Sequence, residues 1–203
     1  MSYQISTIAE LEQHYAQPSE AALAKETPVI NATYRQLIEA APFVAIASSG
    51  PEGLDCSPRG DAPGFVQILD EKTLAIPDRR GNNRLDTLRN IVQEPRVALL
   101  FLIPGFNETL RINGRASISI DPDLLAGFEI FGKRPVTAII VKIDTVYFQC
   151  ARALKRSRLW EMDAQINPQS LPSAGNLIQS VLNDFDQEAY DAELPERQAQ
   201  TLY

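Results

Sequence analysis

The segment from residue 75 to residue 92 is the most informative part of the sequence. It reads Ala75-Ile-Pro-Asp-Arg-Arg-Gly-Asn-Asn-Arg84 and continues as Leu85-Asp-Thr-Leu-Arg-Asn-Ile-Val92. The first part leaves a predicted strand, and the second has the apolar spacing of a helix. A helix that begins there directs unpaired backbone N–H groups at the preceding loop, where arginines can clamp a phosphate. We therefore predict an anion site; the alternative is that Asn82 or Asn83 only caps the helix while the arginines are solvated.

Positive charge is concentrated in this part of the chain. Residues 77–96 contain five arginines and three acidic residues, a net charge of +2, in a chain whose net charge is −7. An acidic protein is a poor general binder of nucleic acid, because phosphate backbones select basic surfaces. We therefore expect a small anionic ligand here, and no nucleic acid.

Two other polar segments lie on predicted strands. Asp55-Cys-Ser-Pro-Arg-Gly-Asp61 ends a strand and presents a hydroxyl, an arginine and a glycine together. Asn107-Glu-Thr-Leu-Arg-Ile-Asn-Gly-Arg-Ala116 alternates, so that its polar members share one face. Both have a simpler interpretation. The first is then a plain turn with a weak surface pair between Arg59 and Asp61, and the second is the solvated face of a sheet.

Short strands surround these segments, separated by turn residues such as Gly50-Pro-Glu-Gly53. The predicted strands are 43–48, 54–57, 65–69, 73–76, 96–103, 109–120 with a bulge at Gly114, and one or two strands within 138–150. Helices are predicted over 83–92 and near 121–128. This order favours an α+β fold built on a six- to seven-stranded antiparallel split β-barrel, because the strands do not alternate regularly with crossover helices.

The length of 203 residues is compatible with a single domain, 1–203. We expect a helical extension over 1–41, where Thr7 and Glu10 form a capping-box pattern, a barrel core over 42–160 and a helical tail over 161–203. Within the tail, a helix is predicted over 177–185. The acidic stretch 186–203 is expected to reach across a partner.

Several chemistries are poorly supported by the composition. Cys56 and Cys150 are too few for a disulfide framework, and with His14 as the only histidine we expect neither a metal site nor Ser-His-Asp catalysis. The sequence has no run of about 18 apolar residues and no apolar leader, so we expect a cytoplasmic protein outside the membrane.

The order of these motifs resembles the pyridoxamine 5'-phosphate oxidase-like FMN-binding split-barrel superfamily. The resemblance covers residues 42–160 and includes Pro95-Arg-Val-Ala-Leu-Leu-Phe101 between the helix and the alternating strand. Within that group the chain is most similar to an uncharacterised branch of FMN-dependent flavoproteins with a Cys-x-Arg-Ala-x-x-Arg-Ser-x-Leu-Trp segment. Here that segment reads Cys150-Ala-Arg-Ala-Leu-Lys-Arg-Ser-Arg-Leu-Trp160.

The resemblance implies a homodimer with FMN at the subunit interface. It assigns the FMN phosphate to the loop from Asp78 to Arg84, and the matching residues of this chain are Ser57, Arg59, Asp78, Arg79, Asn83 and Arg84. Gly60 and Pro77 would lie near the isoalloxazine. A second-subunit edge and a closing segment would be formed by Asn107, Thr109, Lys155, Arg156, Ser157 and Trp160. We also expect Leu99, Phe101 and Trp160 to give the interface its apolar character.

Two departures bear on the activity. Asn82-Asn83-Arg84 stands where the oxidase has a Ser-x-Lys phosphate motif, and the Arg-x-His segment of the oxidase is missing. We therefore expect background turnover of pyridoxamine phosphate, and an FMN-dependent oxidoreductase acting on another small organic substrate. The alternatives are a non-catalytic flavin-binding or storage protein and a deazaflavin-dependent reductase. Haem is disfavoured, because His14 lies outside the barrel.

Overall fold

The computed structural model describes residues 3–203. Its centre is an antiparallel sheet of seven strands, which confirms the predicted α+β class. The strands are β1 (Phe43–Gly50), β2 (Gly53–Gly60), β3 (Gln67–Asp70), β4 (Thr73–Asp78), β5 (Arg96–Ile103), β6 (Phe106–Ser119) and β7 (Thr137–Gln149). The helices are α1 (Ile8–Glu12), α2 (Glu20–Ala24), α3 (Ala32–Ala40), α4 (Asp86–Gln93), α5 (Pro122–Ala126), α6 (Arg152–Ser157), α7 (Ala174–Gln179) and α8 (Gln187–Thr201).

The sheet curls around its own apolar face. Its strand order is β2-β1-β5-β6-β7-β4-β3, so β1 and β4 are not neighbours in the sheet. Nevertheless Val44 and Ile46 of β1 belong to the same buried cluster as Leu74 and Ile76 of β4. Only a strongly rolled sheet brings these strands to one core, and this rolling produces the split barrel.

The predicted bulge at Gly114 is confirmed. The pairing of β6 with β7 shifts register between Asn113 and Gly114. A Cβ atom on Gly114 would lie 2.2 Å from the carbonyl oxygen of Lys142, so the two backbones approach more closely than any side chain permits. The bulge therefore lets the two longest strands bend around the core.

The strands that carry the polar motifs end close together. β4 pairs with β7 through Asp78 and Thr137, so the end of one strand lies beside the start of the other. After β4 the chain enters α4, which is tied to the first hairpin by a hydrogen bond from Asn90 Nδ2 to Ser48 Oγ, 3.2 Å long. The hairpin, β4 and α4 thus hold one another in fixed positions around a common space.

Two helix boundaries differ from the sequence prediction. The helix predicted from Asn83 begins only at Asp86, because Asn83 and Leu85 adopt left-handed backbone conformations with φ of 59° and 63°. The helix predicted over 177–185 ends at Gln179, and most of the tail helix lies in α8 instead. Ser173 begins α7 with a capping box, a start signal that the apolar spacing alone does not reveal.

The expectation that Leu99 and Phe101 lie in a subunit interface is wrong. Their side chains are 2% and 1% exposed and belong to the core of this chain. Successive residues of a strand point to opposite faces, so Leu100 and Leu102 face outward and are half-buried. β5 is apolar on both faces, so its sequence does not reveal which face forms the core.

This correction predicts the stability of two leucine variants. Leu99→Ala leaves a cavity in the core and should lower the free energy of unfolding by about 2–5 kcal/mol. Leu54→Ala removes a side chain that is 89% exposed, and should change it by less than about 0.5 kcal/mol. Urea unfolding followed by circular dichroism measures both, and equal effects would contradict the core assignment of Leu99.

Candidate functional site

A large cavity opens where β2, β4 and β7 meet the start of α4. Its volume is about 1160 Å³, and it extends from the arginine loop to Lys133, Arg134 and Val136 on the opposite side. The residues of the predicted phosphate and ring region that line it are Ser57, Arg59, Gly60, Pro77, Asp78, Arg79, Asn83 and Arg84. The structure therefore brings together residues that the sequence presents in two separate segments.

The amino-terminal end of α4 forms one wall of this cavity. Its N-cap residue is Leu85, and no side chain caps the first turn. The capping role considered for Asn82 or Asn83 is therefore not observed; instead Asn82 Oδ1 accepts a hydrogen bond of 3.1 Å from the backbone N–H of Arg84. The first N–H groups of α4 have no intrahelical partner, and with the helix dipole they favour an anion.

The arginines of the loop differ in their partners. Arg84 is exposed, and its Nε lies 2.8 Å from Oδ2 of Asp86, a carboxylate in the first turn of α4. Asp86 raises the pKa of Arg84 through this hydrogen bond, so Arg84 is held in its charged form. Arg80 is also exposed and lines the cavity, and it makes no hydrogen bond or ion pair with any residue between 3 and 203. Arg80, which the sequence prediction passed over, is thus the unengaged cation of the loop.

Arg79 is held firmly from two sides. Its Nε donates to Asp61 Oδ2 over 2.8 Å and its Nη1 donates to the carbonyl oxygen of Phe128 over 2.7 Å. The side chains of Arg79 and Asp61 are only 15% and 1% exposed. This leaves the second amino group of Arg79 for a ligand, so the residue offers less to a phosphate than its position in the loop suggests.

Asp61 is the centre of this cluster. It also accepts a hydrogen bond of 2.7 Å from the hydroxyl of Tyr203. Burial raises the pKa of Asp61, but hydrogen bonds from Tyr203, from the backbone of Ala62 and from Arg79 outweigh it and hold the pKa below its usual value. Asp61 is therefore an ionised, acceptor-only group at neutral pH.

Arg59 pairs with Asp78 and not with Asp61. Arg59 Nη2 lies 3.4 Å from Asp78 Oδ1, and both side chains are 19% exposed. Burial raises the pKa of Asp78 above its usual value, against the opposing attraction of Arg59. The surface pair between Arg59 and Asp61 considered from the sequence is thus wrong, because the strand ends give each residue another partner.

Two buried polar atoms at the cavity lack partners. Across residues 3–203, the side-chain atoms that are buried without a hydrogen bond are Arg59 Nε and Thr137 Oγ1. Both residues line the cavity. Buried polar groups are nearly always hydrogen-bonded, so these two atoms beside the cavity are open to a polar partner that comes within reach.

Ser57 uses its donor within the chain. Its hydroxyl lies 2.9 Å from Asp55 Oδ2, which also accepts from the hydroxyl of Thr87 on α4. A hydroxyl that donates to a carboxylate retains only acceptor capacity. Asp55 therefore joins the hairpin to α4, and Ser57 would have to rotate away from Asp55 to donate to a phosphate.

The residues assigned to the second subunit do not line this cavity. Asn107 and Thr109 lie near the start of β6, and Thr109 pairs with Gln149 at the end of β7. The opposite end of β7, at Thr137, reaches the cavity, and the two ends are separated by about 40 Å of strand at about 3.3 Å per residue. The segment containing Lys155, Arg156, Ser157 and Trp160 follows β7 and packs at this far end, where Trp160 Nε1 donates to the carbonyl oxygen of Phe106 over 2.9 Å.

Sequence reasoning missed other members of the site. Thr137, Lys133 and Tyr203 also line the cavity. Tyr203 is separated from its partner Asp61 by 142 residues, and no local motif connects them. A signal was available for Arg80, because it stands between two assigned positions of the arginine loop.

The comparison with known families gives a clear match. The sequence profile of the family described as pyridoxamine 5'-phosphate oxidase matches residues 30–150, well over half of the 203 residues. The chain belongs to the pyridoxamine 5'-phosphate oxidase family. This membership confirms the resemblance and the flavoprotein class that it implied. No curated protein is significantly similar in sequence.

Solved structures align over the barrel. HupZ of Group A Streptococcus aligns with a TM-score of 0.48 at 15% identity, over 59% of this chain and 93% of HupZ. An F420 reductase aligns at 0.41 and 20% identity, over 59% of this chain and 98% of its own. An FMN-binding protein from Syntrophomonas wolfei aligns at 0.42 and 10% identity, over 57% and 88%. Because these TM-scores lie below 0.5, we base the family assignment on the sequence match and on the sheet topology.

Within residues 3–203, no three side chains of His, Cys, Asp or Glu are grouped so that they could hold a metal ion. No helix in that range combines the length and the apolar character needed to cross a membrane.

The buried pair at the cavity predicts a pH-dependent loss of stability in Asp61→Asn. The variant leaves Arg79 without its counter-ion and should lower the free energy of unfolding at pH 7 by about 3 kcal/mol, the lower end for a broken buried pair. The pKa of Asp61 is lowered in the folded protein, so the advantage of the wild type is complete above the ordinary carboxyl pKa of about 3.9. This advantage should disappear as the pH falls through the lower pKa that Asp61 has in the folded protein.

Urea unfolding of both proteins between pH 7 and acid pH measures this difference. Asp184→Asn is the matched control, because Asp184 is an exposed carboxylate outside the cavity lining that makes no side-chain hydrogen bond or ion pair with any residue between 3 and 203. A difference between wild type and Asp61→Asn that stays constant down to the most acid pH would contradict the ion pair.

Proposed function

We propose that this chain binds FMN in the cavity at the start of α4 and acts as an FMN-dependent oxidoreductase on a small organic substrate. The observation that carries the proposal is an uncapped helix end with exposed arginines in one cavity, together with two lining residues, Arg59 and Thr137, that each have a partnerless buried polar atom. One end of the cavity suits an anion, and the other suits a polar group that forms hydrogen bonds. A flavin mononucleotide has a phosphate anion at one end and a ring with polar, hydrogen-bonding atoms at the other.

The size of the cavity fits such a ligand. Ligand pockets in proteins commonly measure about 300–1,000 Å³, and this one is about 1160 Å³. Its lining includes the arginine loop and also Pro77, Val136 and Thr137. The residues present therefore fit FMN.

In this proposal the phosphate lies against the first turn of α4. The free N–H groups of the helix, Arg84 and Arg80 bind it, and Arg79 contributes its remaining amino group. Asn83, in its left-handed conformation, shapes the loop around the anion. Asp86 opposes binding, because its carboxylate occupies the same helix turn and engages Arg84.

The ring region is assigned to the Arg59 side of the cavity. Arg59 Nε and Thr137 Oγ1 would satisfy their hydrogen bonds on polar atoms of the ring system, beside Gly60 and Pro77. Asp78 adds a carboxyl group whose pKa is raised by burial, and this group is suited to exchange a proton nearer neutral pH than an ordinary carboxylate. FMN, when bound, supplies the redox chemistry, and the protein binds and orients it.

A second copy of the chain would complete the site. Asn107 and the segment from Lys155 to Trp160 lie at the far end of β7 from the cavity of their own chain, whereas Thr109, at the same end, is buried within its own chain. Lys155 and Arg156 are exposed at the end of α6, where they are available to a neighbouring molecule. An isologous dimer would place each segment at the cavity of the other chain and create two equivalent sites. Lys155 or Arg156 would then supply a cation that favours the reduced, anionic form of the flavin ring.

The first prediction of this proposal concerns the phosphate. FMN titration followed by quenching of flavin fluorescence should give an affinity weakened about tenfold or more in Arg84→Ala, because a charged hydrogen-bond donor is lost. Asp86→Asn should bind FMN at least as tightly as the wild type, because it removes a competing negative charge and frees Arg84. Arg89→Ala is the matched control, since Arg89 lies on α4 outside the cavity lining.

Three results would change the assignment. Equal affinities in Arg84→Ala and Arg89→Ala would place the phosphate elsewhere. Tight FMN binding with no reduction by any donor would favour a storage protein over an oxidoreductase. Binding of a deazaflavin in preference to FMN would indicate the deazaflavin-dependent reductase.

The second prediction concerns the shared site. Light scattering should give twice the 22.5 kDa of one chain for the FMN-loaded protein. Arg84→Ala and Arg156→Ala should each impair both sites of their homodimers, but from opposite sides of the interface. After the two variants are unfolded and refolded together, hybrid dimers contain one unaltered site, so tight binding should return at about half stoichiometry per hybrid. A tight-binding monomer, or no recovery in the mixture, would contradict the dimer.

A further inference from the structure

The described chain ends inside the candidate site. After α8 the chain continues through Leu202 to Tyr203, which lines the cavity and is half-buried. The family match ends at residue 150, so this segment lies outside the part of the chain that the family assignment covers.

Four contacts hold Tyr203 in place. Its hydroxyl donates to Asp61 Oδ1 over 2.7 Å, and its ring centroid lies 5.5 Å from the guanidinium carbon of Arg79. The ring also packs edge-on against Phe131, with 5.8 Å between ring centroids. Lys133 Nζ donates to the backbone carbonyl oxygen of Tyr203 over 2.7 Å. These partners come from the loop after β2, the end of β4 and the loop before β7, so one residue joins three separate parts of the cavity rim.

The hydroxyl contact is a strong one. Asp61 is held in its ionised form, and a hydrogen bond between a hydroxyl and a charged group stabilises more than a neutral one. The same hydrogen bond raises the pKa of Tyr203, so its phenol remains a donor at neutral pH. The ring stacked near Arg79 adds a cation–π attraction.

Tyr203 is a wall of the cavity and not a plug. About 1160 Å³ remains open with Tyr203 in place, which is enough for a ligand of nucleotide size. A bound molecule would therefore lie beside the ring. Movement of Tyr203 away from Asp61 would remove this wall and widen the exit from the cavity.

We propose that Tyr203 is a clasp: α8 carries it across the rim, the Asp61–Arg79 pair anchors it, and it retains the cofactor by slowing its escape. The clasp rests on the proposed FMN site, which it closes on the Arg79 side. Tyr203 is a positioning residue in this role, since it holds the cavity closed and takes no part in electron transfer. The same contacts restrict ligands to those that fit beside the phenol ring.

Two measurements on Tyr203→Ala test the clasp. Asp191 ties the first half of α8 to Gly175, so hydrogen exchange of the ligand-free protein should show only residues 196–203, after Pro195, protected in the wild type and exchanging much faster in the variant. The dissociation rate of FMN, followed by dilution into excess apo-flavodoxin, should rise by about tenfold or more. Tyr203→Phe keeps the ring and loses only the hydrogen bond, so its dissociation rate for FMN should lie between those of the wild type and Tyr203→Ala. Tyr15→Ala is the matched control, because Tyr15 is 71% exposed and distant from the cavity lining.

The outcomes separate the clasp from the FMN site. If the tail is released in Tyr203→Ala while the dissociation rate of FMN stays at the wild-type value, the clasp is wrong and the FMN site stands. The same holds if residues 196–203 exchange freely in the wild type. If the wild type binds no FMN, both the proposed function and the clasp are overturned. A faster dissociation rate in Tyr203→Ala, with the midpoint of thermal unfolding unchanged, supports the clasp.

Discussion

The ion pair between Arg79 and Asp61 is the contact on which the cavity depends. It is almost fully buried, and it joins the end of β4 to the loop after β2. Through Arg79 it also holds the carbonyl of Phe128, and through Asp61 it holds Tyr203. A buried charge without its partner is strongly unfavourable, so these four elements keep one arrangement. The cavity is thus organised before any ligand arrives, which reduces the entropy lost on binding.

The positive charge available to a ligand varies along the cavity, because the Arg79–Asp61 pair neutralises one of its arginines. Arg79 is neutralised by a buried carboxylate and Arg84 pairs with Asp86 at the surface, whereas Arg80 is exposed beside the free N–H groups of α4 without a partner among residues 3–203. An anion is therefore attracted to the rim, where its charge remains partly hydrated. Deeper in the cavity, Arg59 and Thr137 offer hydrogen bonds. A ligand with a phosphate at one end and a polar ring at the other matches this gradient.

Sequence reasoning succeeded where the signal was local. The strand, loop and helix between 75 and 92, the hairpins and the bulge at Gly114 follow from turn chemistry and spacing over a few residues. It failed where the answer depended on which face of a strand meets the core, as for Leu99. It also failed where the partner is distant in the chain, as for Tyr203. The choice of Asp78 over Asp61 as the partner of Arg59 is set by how strand ends meet in three dimensions, which spacing does not encode.

The proposed function depends most on the identity of the bound molecule. The most direct test is the absorbance spectrum of the wild-type protein after reconstitution with excess FMN and removal of unbound material, with mass spectrometry of what is then released. We expect flavin absorption that bleaches with dithionite, and a released mass equal to that of FMN at one molecule per chain. A protein that emerges colourless from this procedure would contradict the central claim.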